Sequence, residues 1–248
     1  MIINRKSLSI VTIILVLLTI PNIFNSQDYV FANSEPQKII QTFGEAEITS
    51  SPDLAKISLV IETRSKLAED AVDENARIAN TVWEALLNYG ISEENLKTGS
   101  YRLNGYRESV GNRPENDENL VYYRATNEIM VSTTRLDDIG EIIDLAVIAG
   151  ANNINYINFE LKDPQKLMMK ALKIAIQQAE RKAETIAQGA GVNIKQLYSV
   201  REEKTNYIPF RLQDSLLQRE MLASNSPTPI KPDEVTVKAV VIAKYIFE

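Results

Sequence analysis

Carboxylate pairs are the residues of this sequence with the most direct capacity for chemistry. Adjacent acidic residues occur at Glu93-Glu94, Asp137-Asp138 and Glu202-Glu203. A glycosidase-type hydrolase needs two carboxyl groups that face each other across a cleft. Adjacent residues on a helix or strand point in different directions, and exposed carboxylates rarely have the shifted pKa values of catalytic groups. The pattern therefore favours solvated surface, and a carboxylate-dependent envelope hydrolase stays as an alternative.

Histidine and cysteine are both absent from the sequence. Their absence excludes thiolate nucleophiles, disulfides, Ser-His and Cys-His dyads, and the usual zinc ligands. Oxygen ligands that suit calcium occur together at Asn116-Asp117-Glu118-Asn119, but this segment lacks the spacing and central glycine of an EF-hand loop. No glycine-rich phosphate loop is present either. We therefore expect no catalytic residue, no metal and no cofactor.

Tyrosine and arginine recur in two neighbouring stretches of the chain. The set is Tyr101, Arg102, Tyr106, Arg107, Tyr122, Tyr123 and Arg124. Such residues can stack bases or sugars, or they can form cross-strand aromatic pairs worth about 0.2–1 kcal/mol each. The net charge of −6 disfavours nucleic acid as a partner. We predict a structural or subunit-contact role, with Tyr101, Tyr106, Tyr122 and Tyr123 as candidate interaction residues.

The N-terminal segment has the order of features that export machinery recognises. Arg5 and Lys6 precede an apolar run from Leu8 to Ile20, and Val30-Phe31-Ala32 suits cleavage after Ala32. Residues 1–32 are therefore predicted to be a signal peptide. The alternative is a short uncleaved anchor over residues 8–24, although a comfortable membrane helix needs roughly 20 apolar residues. Both alternatives predict that the rest of the chain lies outside the cytoplasm, secreted or associated with the cell envelope.

The first half of the remaining chain alternates between strand and helix patterns. The predicted elements are strands at 39–48 and 54–64, a helix at 67–89, and strands at 96–108 and 120–134. The turn Ser50-Ser51-Pro52-Asp53 predicts that the first two strands form a β-hairpin. The polar run at residues 109–119 predicts a long hairpin tip between the last two.

The second half contains the clearest helix in the sequence. The predicted elements are a helix at 136–149, a strand at 155–161, a helix that begins at Asp163-Pro164, and strands at 194–203 and 235–247. Alanines recur every fourth residue on one face of the second helix, at 171, 175, 179, 183 and 187. Because alanine has little volume, this face predicts close packing against a sheet or against a second copy.

A long insertion at residues 204–233 separates the last two strands. It is too long for an ordinary connection and too apolar for a simple linker. Its candidate interaction residues are Leu216, Met221, Pro229 and Ile230. The whole order, roughly ββαββ-αβαββ, predicts an α+β fold in which an antiparallel or mixed sheet, or two such sheets, is covered by two or three amphipathic helices.

An ordered set of short motifs in this chain resembles one known family. The set is Phe43-Gly44-Glu45-Ala46, Pro52-Asp53, Asn75, Gly90-Ile91, Asn95-Leu96-Lys97-Thr98, Tyr101, Tyr106, Tyr123-Arg124-Ala125-Thr126-Asn127, Gly150-Ala151-Asn152-Asn153-Ile154, Phe159, Asp163, Ala190-Gly191 and Pro229-Ile230-Lys231-Pro232. Together these motifs resemble the SIMPL domain (DUF541) family over residues 39–247. Asp233 departs from the family pattern, which usually has glycine after the final proline.

The resemblance implies an extracytoplasmic protein similar to bacterial periplasmic immunogenic proteins and linked to oxidative-stress defence. It also implies ring-forming oligomers in some members and supplies no catalytic residues. From the sequence we therefore expect a non-enzymatic envelope protein that acts by self-association and protein binding, as a homo-oligomer with an unknown protein partner. The final strand, the tyrosine-rich hairpin and residues 227–232 are the expected contact surfaces. A ligand-binding or chaperone module with oxidisable Met168, Met169 and Met221 stays as a further alternative.

Overall fold

A computed structural model describes residues 38–108, 120–213 and 230–248 of the chain. Every described residue belongs to one compact unit of the chain. The predicted signal peptide, the hairpin tip at 109–119 and most of the insertion at 204–233 lie outside the described residues.

The described elements comprise eight strands and three α-helices in the order ββαββαβαβββ. The strands are β1 Ile39–Ser50, β2 Leu54–Ser65, β3 Leu96–Glu108, β4 Leu120–Thr133, β5 Asn153–Glu160, β6 Ile194–Ile208, β7 Phe210–Gln213 and β8 Val235–Phe247. The helices are α1 Ala68–Asn88, α2 Ile139–Ile148 and α3 Gln165–Ala190. All strand pairs are antiparallel, so the predicted α+β fold is confirmed and both sheets are purely antiparallel.

The larger sheet has the strand order β3-β4-β2-β5-β7 and packs against α1 and α2. Alternation along β2 directs Ile57, Leu59 and Ile61 toward the helices, where they are completely buried. Helix α1 contributes Val82 and Leu86 to the same core. Large aliphatic and aromatic side chains therefore fill the space between this sheet and its helices.

The smaller sheet has the strand order β1-β8-β6 and packs against α3. The five alanines of the predicted helix face, at 171, 175, 179, 183 and 187, are all buried here. The Oγ1 of Thr42 donates a hydrogen bond of 2.8 Å to the carbonyl oxygen of Ala179. A Cβ atom at Gly44 would lie 1.8 Å from the carbonyl oxygen of Ala175. The helix backbone thus approaches the sheet backbone directly, as the alanine spacing predicts.

The predicted hairpin between the first two strands is wrong. β1 pairs with β8 in the smaller sheet, whereas β2 lies between β4 and β5 in the larger one. The volumes of the side chains explain the separation: Gly44 and Ala46 of β1 fit the alanine face of α3. The large apolar residues of β2 instead need the thicker core under α1 and α2.

The first part of the predicted insertion at residues 204–233 forms β-strands. β6 continues to Ile208, and β7 then crosses to the larger sheet and pairs with β5. The ring centroids of Phe210 and Phe159 are 5.9 Å apart. The apolar character of this stretch therefore comes from strand residues that complete both sheets, and only residues 214–229 of the insertion lie outside the described part of the chain.

Candidate functional site

The face of the larger sheet that points away from α1 and α2 is polar, and we call it the polar face. Cross-strand register places on it six cations and three carboxylates among the described side chains. They are Lys56, Arg64, Lys97, Arg102, Arg124 and Arg211, with Glu62, Glu128 and Glu160. The surplus of three positive charges contrasts with the net charge of −6 for the chain. This face is therefore an electropositive surface on an acidic protein.

An arginine–tyrosine cluster, formed by Arg64, Arg124, Tyr106 and Tyr122, occupies one end of the polar face. The two tyrosine rings stack with their centroids 6.2 Å apart. The Cζ atom of Arg64 lies 3.9 Å from the ring centroid of Tyr122, and that of Arg124 lies 4.8 Å from the ring centroid of Tyr106. Such cation–π contacts orient the guanidinium groups while leaving their N–H donors in the plane of the group.

Arg64 and Arg124 are also direct cross-strand partners in the register of β2 and β4. Like charges in this position repel each other. The Nε of Arg124 contacts the Oε1 of Glu62 at 3.0 Å, which compensates part of the repulsion. Two guanidinium groups held on one side of a sheet have the geometry that carboxylate and phosphate groups recognise.

The centre of the polar face is held together by internal polar contacts. The carboxylate of Glu128 accepts hydrogen bonds from the Oγ of Ser58 and, at 3.0 Å, from the Oγ of Ser100. The register shift between Thr98 and Tyr101 includes Gly99, where a Cβ atom would lie 2.8 Å from the Glu128 side chain. A Cβ atom at this position would therefore displace the carboxylate of Glu128 from its place between the strands.

The four predicted tyrosines divide between the two faces of the larger sheet. Tyr106 and Tyr122 are brought together on the polar face. Tyr101 and Tyr123 lie on the opposite face. Their cross-strand pairs, Tyr101 with Asn127 and Tyr123 with Gly105, alternate along the strands with the pairs that form the polar face. The predicted single cluster is therefore divided between the two faces, and only Tyr106 and Tyr122 form a ring pair. Arg64, which the sequence did not single out, completes the cluster around that pair.

Of the candidate interaction residues in the insertion, the structure describes only Ile230. Ile230 is half-buried and packs against the core of the larger sheet, and its role as an interaction residue stays a prediction. An isoleucine that closes the edge of an apolar core gains burial there. Leu216, Met221 and Pro229 lie outside the described residues. The final strand β8 lies between β1 and β6, so both of its edges are already paired.

A cavity of about 860 Å³ has five carboxylate residues in its lining, Asp53, Asp137, Asp138, Asp233 and Glu234. The Oδ1 of Asp53 accepts a hydrogen bond of 2.7 Å from the backbone N–H of Lys162. Asp138 contacts Arg135 at 3.3 Å. The Oδ1 of Asp233 accepts a hydrogen bond of 2.7 Å from the backbone N–H of Glu234. Three of the five therefore have structural partners, which does not favour the hydrolase alternative.

Two further observations concern the described residues alone. Across residues 38–108, 120–213 and 230–248, no three acidic side chains converge closely enough to hold a metal ion. In the same part of the chain, no helix combines the length and the apolar character needed to cross a membrane.

The described structure is that of an α+β protein with two antiparallel sheets, each packed on one face against helices. The chain belongs to the SIMPL family, described as a protein of unknown function (DUF541), whose family model matches residues 40–245. The family expected from the sequence motifs is therefore confirmed.

Several curated proteins are similar to this chain over most of its length. The 26 kDa periplasmic immunogenic protein of Brucella melitensis is 27% identical over 206 residues, 81% of each chain. An uncharacterized protein YggE of Escherichia coli is 27% identical over 194 residues, 76% of this chain and 73% of its own. YggE of Edwardsiella ictaluri is 28% identical over 174 residues, 68% of this chain and 70% of its own. None of these names denotes an enzyme.

Proposed function

We propose that this protein is a non-enzymatic binding protein of the cell envelope, located outside the cytoplasm, that works through self-association and protein binding. The location is supported by the name of a relative, the 26 kDa periplasmic immunogenic protein, and by the signal-like pattern of residues 1–32. A link to stress defence is implied by the family resemblance.

Self-association is supported by the apolar side chains that the smaller sheet leaves exposed. Phe43 of β1 and Leu197, Tyr198, Val200 and Ile208 of β6 are each between 43% and 55% exposed. β6 is also an edge strand of 15 residues among the described strands. Exposed apolar side chains along a sheet edge are characteristic of surfaces that pair with another chain. This is the observation on which the proposal mainly rests.

Protein binding is assigned to the arginine–tyrosine cluster of the polar face. Its guanidinium groups and its positive surroundings complement a partner segment that carries carboxylate groups. Tyrosine and arginine are also the residue types that dominate binding energy at protein interfaces. The partner of this surface is therefore an acidic protein segment.

The mass in solution tests self-association. Light scattering on a sizing column, with residues 33–248 over a range of concentrations, is expected to give an oligomer of fixed mass. A monomer at every concentration contradicts the proposal.

Binding of an acidic peptide tests the arginine–tyrosine cluster. Polyglutamate is expected to bind the wild-type protein, and the R64Q/R124Q variant is expected to lose at least about tenfold in affinity. The R77Q/R181Q variant removes the same charge from exposed helix positions and serves as the matched control. Equal losses in both double variants would mean that net charge, not this site, drives the binding.

A further inference from the structure

The edge of β1 that faces away from β8 is held by two side chains of α3. Among the described strands, β1 pairs with β8 alone, so no strand lies beside its other edge. The backbone N–H of Glu45 donates a hydrogen bond of 2.6 Å to the Oε1 of Gln178. The Nζ of Lys182 donates one of 3.0 Å to the carbonyl oxygen of Phe43. Two backbone groups of this edge are therefore bonded to flexible side chains in the place of a neighbouring strand.

A groove of about 430 Å³ lies beside this edge. Its lining includes Thr42 and Phe43, which are adjacent on β1 and therefore project to opposite faces of the sheet. A groove that both residues line lies along the strand edge rather than over either face. α3 forms the other wall, where Ile186 is 49% exposed, and Phe43 is 55% exposed on the strand wall. The groove thus lies between a strand edge and a helix, with an exposed apolar side chain on each side.

The groove is basic, although the chain as a whole is acidic. Arg181 and Lys182 line it, and its lining contains no carboxylate. Neither cation forms an ion pair with a described residue. The Nζ of Lys182 lies 4.1 Å from the ring centroid of Phe43, which places its charge beside the apolar wall. A ligand that combines carboxylate and apolar groups complements these walls.

The other side of the same edge disfavours carboxylates. Glu45 lies on the outer face of the smaller sheet, which points away from α3, because Gly44 and Ala46 on either side of it are buried under that helix. A residue directly opposite Glu45 on an added strand has its side chain on the same face, where a second carboxylate is repelled. The lysines of this face, Lys238 and Lys244, belong to β8, one strand further from the edge. The edge therefore favours acidic side chains toward α3 and uncharged side chains on the outer face.

We propose that an extended segment of another protein, in which acidic and apolar residues alternate, pairs with the free edge of β1. Its backbone takes the place of the Gln178 and Lys182 side chains. Its acidic side chains then meet Arg181 and the released Lys182, and its apolar side chains cover Phe43. A strand added to a sheet edge gains affinity from main-chain hydrogen bonds and specificity from its alternating side chains. This surface adds to the proposed protein binding and does not involve the arginine–tyrosine cluster.

The exchange of partners at the edge favours such a segment over other extended chains. Each side-chain hydrogen bond that is lost is replaced by a main-chain one, so this exchange is close to neutral. The ammonium group of Lys182 exchanges a carbonyl oxygen for a carboxylate, and a hydrogen bond between two charged groups is the stronger one. Gln178 and Lys182 therefore protect the edge from indiscriminate pairing and are displaced by a segment that carries carboxylates.

Fluorescence anisotropy provides the test, with the purified full chain and a labelled octapeptide of alternating valine and glutamate. This peptide is expected to bind, and an octapeptide of alternating valine and lysine is expected not to bind. Polyglutamate lacks apolar side chains and has a low β propensity, so it is expected not to displace the peptide.

Methylation of the peptide backbone tests the strand pairing itself. In antiparallel pairing the residues opposite Phe43 and Glu45 have their side chains on the outer face and their N–H groups toward β1. These residues are the valines, so N-methylation of the valines is expected to abolish binding. The N–H groups of the glutamates point away from β1, so N-methylation of the glutamates is expected to leave binding unchanged. The opposite result would mean that the assigned orientation of the segment is wrong.

Substitutions on α3 test the charge and the edge separately. Arg181→Glu is expected to weaken binding at least about tenfold, and Arg77→Glu, the same change at an exposed position of α1, is the matched control. Gln178→Ala frees the N–H of Glu45 and is expected to strengthen binding at least about threefold, because a competing hydrogen bond is removed. Capture of the peptide by charge alone would leave its affinity for Gln178→Ala unchanged and would contradict the pairing. The denaturation midpoint of every variant confirms folding.

The R64Q/R124Q variant distinguishes this inference from the proposed function. Binding that persists in this variant belongs to the β1 edge, whereas binding that is lost belongs to the arginine–tyrosine cluster and overturns the inference. Equal binding of both methylated peptides, or no binding of the unmodified peptide, would show that Gln178 and Lys182 keep the edge closed. If the peptide instead dissociates an oligomer of the protein, a second copy occupies the edge and the assignment to another protein is wrong.

Discussion

The two halves of the described structure both place an antiparallel sheet against helices, but they fill the contact differently. Under α1 and α2 the larger sheet buries isoleucine, leucine, valine and phenylalanine. Under α3 the smaller sheet is met by five alanines, with glycine and alanine among its own inward residues. One helix–sheet contact is therefore set by side-chain volume, and the other by the approach of the two backbones.

The two sheet faces that point away from the helices differ in polarity. The larger sheet has a polar outer face on which most charges have a neighbouring partner, such as Lys56 and Glu160 at 2.7 Å. On the outer face of the smaller sheet, the central strand carries valine and isoleucine together with Lys238 and Lys244. The outer face of the larger sheet is thus polar, whereas the outer face of the smaller sheet mixes apolar and basic residues along its central strand.

Truncation of Phe159 is expected to give the largest effect. Its ring is completely buried in the larger half and contacts Phe210. Phe159→Ala removes both the apolar contact and the volume, and a loss of about 3–5 kcal/mol in the free energy of unfolding is expected. Denaturant titration measures it, and Phe159→Leu, which keeps most of the volume, is the control with a smaller loss. A loss below about 1 kcal/mol would show that this core is not tightly packed.

Enlargement of Gly44 tests the thinner half. Gly44→Ala places a Cβ atom against the backbone of α3, which cannot rotate away. We expect a loss of about 3 kcal/mol in the free energy of unfolding, the upper part of the range for overpacking. The same titration measures it.

Gly189→Ala is the matched control for Gly44→Ala. Gly189 lies in α3 with open space around its Cβ position, so alanine is expected to stabilise the helix by up to about 1 kcal/mol. The same substitution thus has opposite signs at two positions of one helix–sheet unit. If both variants unfold at the wild-type denaturant concentration, close backbone approach does not determine the stability of the smaller half.

The local spacing of apolar residues predicted most of the strands and helices, because the alternation of a strand and the three-to-four-residue spacing of a helix depend only on residues close in sequence. The alanine face of α3 is the clearest case: its spacing in the sequence predicted close packing, and all five alanines are buried. The partners of β1 and β2 were not predictable in the same way. A short turn between two strands usually joins them in a hairpin, and here the fit of whole faces to different helices decides otherwise.

The candidate site was predicted in part for a related reason. Tyr106 and Tyr122 were identified by residue type, and they do meet on the polar face. Tyr101 and Tyr123 were identified by the same criterion and face the other way, since a strand reverses its side chains at every residue and the bulge after Thr98 sets the phase. Arg64 comes from a strand distant in sequence, and only the register of β2 with β4 brings it to the cluster.

The ionisation of two tyrosines is expected to have the smallest effect on stability. These tyrosines, one in each half, both have a raised pKa, and the causes differ. In the larger half, a hydrogen bond of 2.6 Å from the hydroxyl of Tyr89 to Glu141 raises the pKa of Tyr89 to about 12. In the smaller half, burial raises the pKa of Tyr245. Both pKa values lie above the ordinary value of 10.0, so both groups contribute stability that is complete below that pH and is lost as the pH rises through the folded-state pKa.

A pH titration followed by the ultraviolet absorbance of the phenolate distinguishes the hydrogen bond from burial as the cause of a raised tyrosine pKa. Glu141→Gln removes the carboxylate that accepts the hydrogen bond of Tyr89, so the pKa of Tyr89 is expected to fall toward its ordinary value and the alkaline loss of stability to become smaller. Tyr89→Phe is expected to remove the same late transition from the absorbance titration. Tyr245→Phe is the control from the other half, and it is expected to leave the titration of Tyr89 unchanged. If Glu141→Gln leaves the last phenolate transition where it is in the wild type, burial rather than the hydrogen bond raises the pKa in both halves.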